Sequence, residues 1–406
     1  MSETDKSILT LSNGMKAAVV RSSGNVSYAG VLVNAGSRDE SIPGLAHFVE
    51  HTIFKGTEKR SSWHISNRME SIGGELNAYT FKEGTSVYTI APAGYEDRSV
   101  ELLADLIKGA TFPKAEIDRE REVIVEEINS YLDNPSESVY DSFEELIYAG
   151  SPLSHNILGT PGSVRTIRSA DCREFIERYY TPRNMVAFIS SPTDPAKIKR
   201  LLEKHLGSLD REGDKPLREI PVAVEPFKVV RDKNGHQAHT IVGTRIFNRN
   251  DPRRFPLFLL SNYLAGPCMN SRLNQEMREK RGLVYTVDSS IGLLGDTGVF
   301  VIYYGTDRAG VEKCRRIIDR EISALADTSL SDRKLDKIKE QYCGQLLVSS
   351  DNRESMAMSL GKNLMYFNKL TDIPSLAARM REVTAAEIRE VAEMLLTSGL
   401  SQLTLM

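Results

Sequence analysis

The order of elements legible in the first half of this chain recurs in the second half, about 210 residues further on. Residues 63–72 read as a helix, 75–81 and 86–91 as a strand pair, 97–108 as an amphipathic helix and 115–132 as a long charged helix. Residues 255–264 and 271–280, then 284–291 and 298–304, then 311–325 and 331–348 follow the same order. A 406-residue chain with this internal repeat is expected to fold as two similar units, each with its own core. The fold class is α+β: two structurally similar α/β domains, each a mostly antiparallel sheet packed with helices. The expected boundaries are 1–212, a linker at 213–227, and 228–406. Pro216, Pro221 and Pro226 punctuate the linker's charged stretch.

The chain opens with two strands, 8–11 and 15–20, around Asn13-Gly14, a dipeptide suited to a tight hairpin turn. A third strand, 26–33, leads through Asn34-Ala35-Gly36 towards a segment with no counterpart in the second half. That segment is His47-Phe48-Val49-Glu50-His51. On a helix, positions four apart share a face, so His47 and His51 can grip one ion between them. Glu50 stands beside them, placed to polarise a water held by that ion. Leu45, Phe48, Val49 and Thr52 give the helix a packing face.

A third ligand is sought on the long charged helix. Arg119, Glu122, Glu126, Asn129 and Asp133 form a solvated face, and Ile117, Glu120, Ile124, Glu127, Ile128 and Tyr131 form the other. Glu120 and Glu127 therefore fall within an otherwise apolar seam and need a partner, either a metal or an arginine. Glu127 is the better ligand because Glu126 belongs to the wet face. Two histidines and one glutamate, with water in the fourth position, make a catalytic zinc site.

Together, His47–His51, the Gly-Gly-Glu-Leu-Asn-Ala segment at 73–78 and the Glu-Arg-Glu-Val-Ile-Val-Glu-Glu run at 120–127 resemble the inverzincin metallopeptidases. Pitrilysin, insulin-degrading enzyme and the mitochondrial processing peptidase belong to that group. The resemblance implies one zinc per chain on His47, His51 and Glu127, with Glu50 as general base and Glu120 as an acid supporting the site. It also implies that Asn77 and Ala78 lie on an edge strand that holds the substrate backbone by strand addition.

In the second half, Arg278 and Tyr285 bracket a charged helix end just before a strand. Read alone, that is a solvated helix terminus. The resemblance makes them the Arg/Tyr pair that active family members use to hold the scissile carbonyl and its developing oxyanion. Enzymes of the family about twice this length carry the zinc site in one half and the Arg/Tyr pair in the other. The resemblance thus implies a homodimer in which Arg278 and Tyr285 serve the opposite subunit. Ala265-Gly266-Pro267-Cys268 has one glycine, unlike the glycine-rich loop of non-catalytic family subunits.

The expected function is a zinc-dependent endopeptidase acting on peptides or small unfolded proteins. A presequence-processing peptidase subunit and a non-catalytic partner subunit of the same fold remain open alternatives. With a net charge of −3, no global basic field exists to draw nucleic acid or anionic lipid. No apolar run reaches the roughly 18 residues of a membrane span, and residues 1–7 lack signal-peptide character. Cys172, Cys268, Cys314 and Cys343 form no C-x-x-C pair and read as reduced thiols, which places the protein in the cytoplasm. His236 and His239 lack a helix or a nearby acid and read as ordinary histidines, while His64, His155 and His205 are isolated. No phosphate-binding glycine motif is present, so no nucleotide cofactor is expected.

Overall fold

The computed structural model describes residues 6–233 and 235–406. The first half forms β1 (Lys6–Thr10), β2 (Lys16–Arg21), β3 (Val26–Val33), α1 (Leu45–Thr52), α2 (Ser62–Glu70), β4 (Glu75–Phe81), β5 (Gly84–Pro92) and α3 (Glu96–Gly109). It continues with α4 (Lys114–Leu132), α5 (Pro135–Ile147), α6 (Pro161–Thr166), α7 (Ser169–Tyr179), β6 (Met185–Ser191) and α8 (Pro195–Leu206). The second half runs β7 (Lys228–Arg231), β8 (Gln237–Ile246), α9 (Arg254–Ala265), a π-helical turn Asn274–Glu279, β9 (Val284–Leu293) and β10 (Gly298–Asp307). Then come α10 (Val311–Asp327), α11 (Asp332–Ser349), α12 (Arg353–Phe367), α13 (Ile373–Glu382), α14 (Ala385–Thr397) and β11 (Ser401–Leu405).

The two sheets have matching topology. The first is ordered β1-β2-β6-β3-β5-β4 and the second β7-β11-β8-β10-β9. In each, one parallel pair (β2 with β6, β7 with β11) is followed by antiparallel neighbours. The expected class therefore holds, and β1 is the one strand the first sheet has in addition. The sequence patterns leave β6, β7, β8 and β11 unassigned, because their pairing partners lie far away in the chain.

Period-two alternation explains why both faces of the first sheet are covered. Ala17, Val19, Val31, Ala187 and Ile189 point to the core that holds α1. Ala18, Val20, Leu32, Val186 and Phe188 point the other way, onto Leu360 and Leu364 of α12. In the second sheet, Phe300 and Ile302 face the core containing α9, α10 and α14, whereas Val299, Val301 and Tyr303 meet Val139 and Phe143 of α5.

The compact units consequently interleave along the chain. Residues 131–154, with α5, belong to the second unit, and residues 351–371, with α12, belong to the first. The division expected from sequence, 1–212 and 228–406, is contiguous; the packing exchanges one helix in each direction. Apolar periodicity marks a helix face as buried without naming the sheet that buries it. The stretch 213–227 has no helix or strand, yet Arg218 within it is fixed. Its guanidinium Nε and Nη2 donate to the Asp39 carboxylate at 2.8 Å each.

All four cysteines are free thiols. Among the described residues, no helix is long and apolar enough to cross a membrane.

Candidate metal centre

Helix α1 starts at Gly44, whose φ of 92° is left-handed and whose added Cβ would stand 2.7 Å from the Leu158 carbonyl oxygen. Its first turn is braced by Glu40, whose two carboxylate oxygens accept from the Gly44 N–H at 2.6 Å and the Ala46 N–H at 2.8 Å. Burial pushes the Glu40 carboxyl up to about 8, against the pull of those two backbone donors. The packing face of α1 is fully engaged, with Leu45, Ala46, Phe48 and Val49 all buried.

This anchoring aims His47 and His51 at α4. The Nε2 of His47 lies 3.8 Å from Glu127 Oε1, and the Nε2 of His51 lies 3.5 Å from Glu127 Oε2. One donor atom from each of the three residues falls within 4.8 Å of the others. Donors around a tetrahedral ion with bonds near ~2.1 Å stand about 3.4 Å apart, so this set fits zinc. His47 is 7% exposed, and burial, then His51, lowers its pKa to about 3, so the ring is neutral and its lone pair is available. Its Nδ1 is buried without a hydrogen-bond partner among the described residues.

His51 is supported differently. Its Nδ1 lies 3.0 Å from Glu120 Oε1, and Lys55 Nζ lies 2.8 Å from Glu120 Oε2. Burial disfavours the charge on Glu120, but the bonds from His51 and Lys55 outweigh it and lower its pKa. Burial likewise opposes charge on His51, and Glu120, Glu127 and Glu50 together overcome it, so its pKa rises. The Glu50 carboxyl, half-buried between the two histidines in sequence, is raised by burial and by the neighbouring Glu127 charge.

One expectation about α4 needs correction. Glu120 does sit in the apolar seam, with its side chain 9% exposed, but the Glu127 side chain is 42% exposed. Val125 takes the buried place instead. Glu127 sits at the margin of the seam. The acids are answered by His47, His51 and Lys55, and no arginine pairs with them among the described residues.

Asn77 and Ala78 fall on β4, an edge strand of the first sheet that packs against α1. Leu76 and Ala78 face the α1 side, and Asn77 faces the opposite side. Arg278 and Tyr285 belong to the second unit, at the end of the π-helical turn and the start of β9. Around them Lys280 and Arg281 pair with Glu276, whereas among the described residues the Arg278 guanidinium meets only the Met269 sulfur, at 3.6 Å. Tyr285 is 60% exposed, and its hydroxyl donates to Asp307 Oδ1 at 3.4 Å. Sequence reasoning missed Glu40 and Lys55. Their link to the site is a loop closure and a one-turn reach, and neither is marked by a motif.

Comparison with known proteins gives the family and the fold. Residues 16–161 match the family described as insulinase (Peptidase family M16), and residues 166–342 match the Peptidase M16 inactive domain. A protein named uncharacterized zinc protease YmxG, from Bacillus subtilis, is 31% identical over 370 residues, covering 91% of this chain and 90% of the relative. The chain belongs to peptidase family M16. A second M16 relative, the uncharacterized zinc protease SCO5738 of Streptomyces coelicolor, is 30% identical over 373 residues, covering 89% of this chain and 81% of its own. The M16 fold also aligns with a protease from Helicobacter pylori at a TM-score of 0.90 and 22% identity, covering 99% of both chains. A peptidase M16 inactive domain from Pseudomonas fluorescens aligns at 0.91 and 18%, covering 99% of this chain and 98% of that one.

Proposed function

We propose that this M16 chain is a zinc-dependent endopeptidase that hydrolyses peptides or small unfolded proteins. The observation that carries the reading is the convergence of His47, His51 and Glu127 on one point, with Glu50 on the same helix and an open edge strand beside it. A zinc ion held by these three residues would supply Lewis-acid activation of water and of the scissile carbonyl.

The chain's own groups do the rest. Strand β4 pairs with the extended substrate through its free backbone donors and acceptors, near Asn77 and Ala78. Glu50 accepts the proton of the attacking water and passes it to the leaving amine. Its burial suits both steps by bringing its proton affinity closer to that of the groups it serves. Glu120 and Lys55 fix the His51 ring so that its Nε2 faces the ion. Arg278 and Tyr285, with exposed donors, hold the carbonyl oxygen as charge develops on it, and they do so in a homodimer, for the site of the opposite subunit.

The direct test is Glu50→Gln in purified, metal-analysed protein. Zinc should stay at one per chain, while cleavage of a quenched fluorescent peptide falls at least ~100-fold. A zinc-loaded variant with full activity removes Glu50 from the chemistry. Wild-type protein that binds zinc and cuts no peptide points instead to a partner subunit.

A further inference from the structure

Helix α12 lies on the face of the first sheet turned away from α1. On that face, at the edge strand β4, Lys362 extends its ammonium over two aromatic rings. Its Nζ is 5.3 Å from the centroid of Tyr79 and 5.0 Å from that of Phe81. The two rings are 5.8 Å apart, at 30° to each other. The Lys362 side chain is half-buried, and burial lowers its pKa.

No carboxylate pairs with this ammonium among the described residues. Acids near this edge are engaged elsewhere: Glu354 accepts from the Tyr88 hydroxyl at 2.9 Å, Glu83 accepts from Arg38 at 2.7 Å, and Glu75, at the start of β4 on the same face, accepts from the Asn77 amide at 3.3 Å. A partly desolvated cation without a counter-charge is costly, and ring faces compensate it only in part. The missing counter-charge has a natural source. A peptide added to the free edge of β4 alternates its side chains between the two faces. Every second one falls on the side of Tyr79 and Phe81, with its Cβ about 4.5–5.5 Å from the residue opposite. An aspartate or glutamate there comes within reach of Lys362.

We propose that Lys362, Tyr79 and Phe81 form a subsite that selects an acidic side chain on the peptide strand paired with β4. The proposal rests on the peptidase reading only for the place of the peptide. The α1 face of β4 handles the bond to be cut, and the α12 face reads charge on the residues flanking it.

The test uses zinc-loaded full-length protein and a peptide set in which Glu, Gln or Lys is placed in turn at each position around the cleavage point. At one position Glu should be preferred over Gln by about tenfold in kcat/KM, the scale of one charge-assisted contact. Lys362→Met, which keeps the stem over the rings, should bring that ratio near one. Lys362→Glu should invert the order of Glu and Lys peptides at that position alone, and Lys362→Arg should retain the wild-type order. The same peptides, labelled and measured by fluorescence anisotropy on Glu50→Gln protein, give binding without turnover. Acidic preference in binding that Lys362→Met abolishes, when zinc-loaded wild-type protein cuts none of the peptides, upholds the subsite and defeats the peptidase reading. Peptides cut without any acidic preference, or with one that survives Lys362→Met, overturn the subsite and leave the peptidase reading standing. Absence of both cutting and charge-dependent binding overturns the subsite as well.

Discussion

His51 Nδ1 and Glu120 Oε1 stand 3.0 Å apart, joining α1 to the buried acid of α4. The contact decides which nitrogen of the imidazole is left to face Glu127. An ionised Glu120, held by Lys55 on its other oxygen, accepts a hydrogen bond from Nδ1–H and leaves Nε2 with the free lone pair. His47, whose Nδ1 has no such partner among the described residues, is kept neutral chiefly by burial and then by the neighbouring His51.

Replacing Glu120 by Gln should therefore weaken zinc without removing a ligand. The expected loss is about 10–100-fold in affinity, the usual effect of removing a group that orients a ligating histidine. Competition with a chromogenic chelator measures it. An unchanged dissociation constant would show that the His51–Glu120 contact does not tune the metal.

The neighbouring acids of α4 separate ligand from bystander. Glu127 lies within 4 Å of both histidine Nε2 atoms, as two ion-pair distances of 3.8 and 3.5 Å record. Glu126 is exposed on the adjacent position of the helix. Glu127→Gln should lower the zinc content of dialysed protein, and Glu126→Gln should not. Elemental analysis showing the reverse pattern would reassign the face of α4.

Acid should destabilise the first unit partly through Glu96. This carboxylate accepts from the hydroxyls of Ser27 and Ser191 at 2.7 Å each and of Thr193 at 3.0 Å, tying β3, β6 and α3 together. Burial opposes its charge, but these bonds and the Gly94 N–H prevail and lower its pKa from 4.5 to about 2. A depressed folded pKa adds stability above the unfolded value of about 4.5, and that stability fades as pH falls towards 2. The full contribution is about 3 kcal/mol. Glu96→Gln should unfold at lower urea than wild type at pH 7, with the gap narrowing below about pH 4.5. A gap of constant size down to pH 3 contradicts the assignment.

The proposed service of Arg278 and Tyr285 across a homodimer has a statistical signature. Glu50→Gln and Arg278→Ala, each inactive alone, are dissociated, mixed in equal amounts and reassembled. Half the dimers are then mixed, and each mixed dimer carries one complete site of two. Activity should recover to about a quarter of wild type. Mixed dimers detected by native mass spectrometry without any recovery would refute action across the dimer.

What the sequence determined by itself was local chemistry and its repeat. The four-residue spacing of His47 and His51 fixes them on one helix face, the helix periodicity of α4 separates Glu126 from the buried seam, and the recurrence of element order announces two like units. Those properties depend on residues close in the chain, so they survive without coordinates. Tertiary structure decided the rest. The pattern of apolar residues places Glu127 among buried neighbours, yet the close of α4 against α1 leaves it at an open margin, 42% exposed. The sheet that α5 or α12 covers likewise depends on which uncovered face is within reach once the strands have paired. Glu40 reaches α1 only because its loop folds back, and Lys362 meets Tyr79 and Phe81 across more than 280 positions of chain. Contacts of that kind carry no periodicity, because the energy that selects them is burial summed over a whole face.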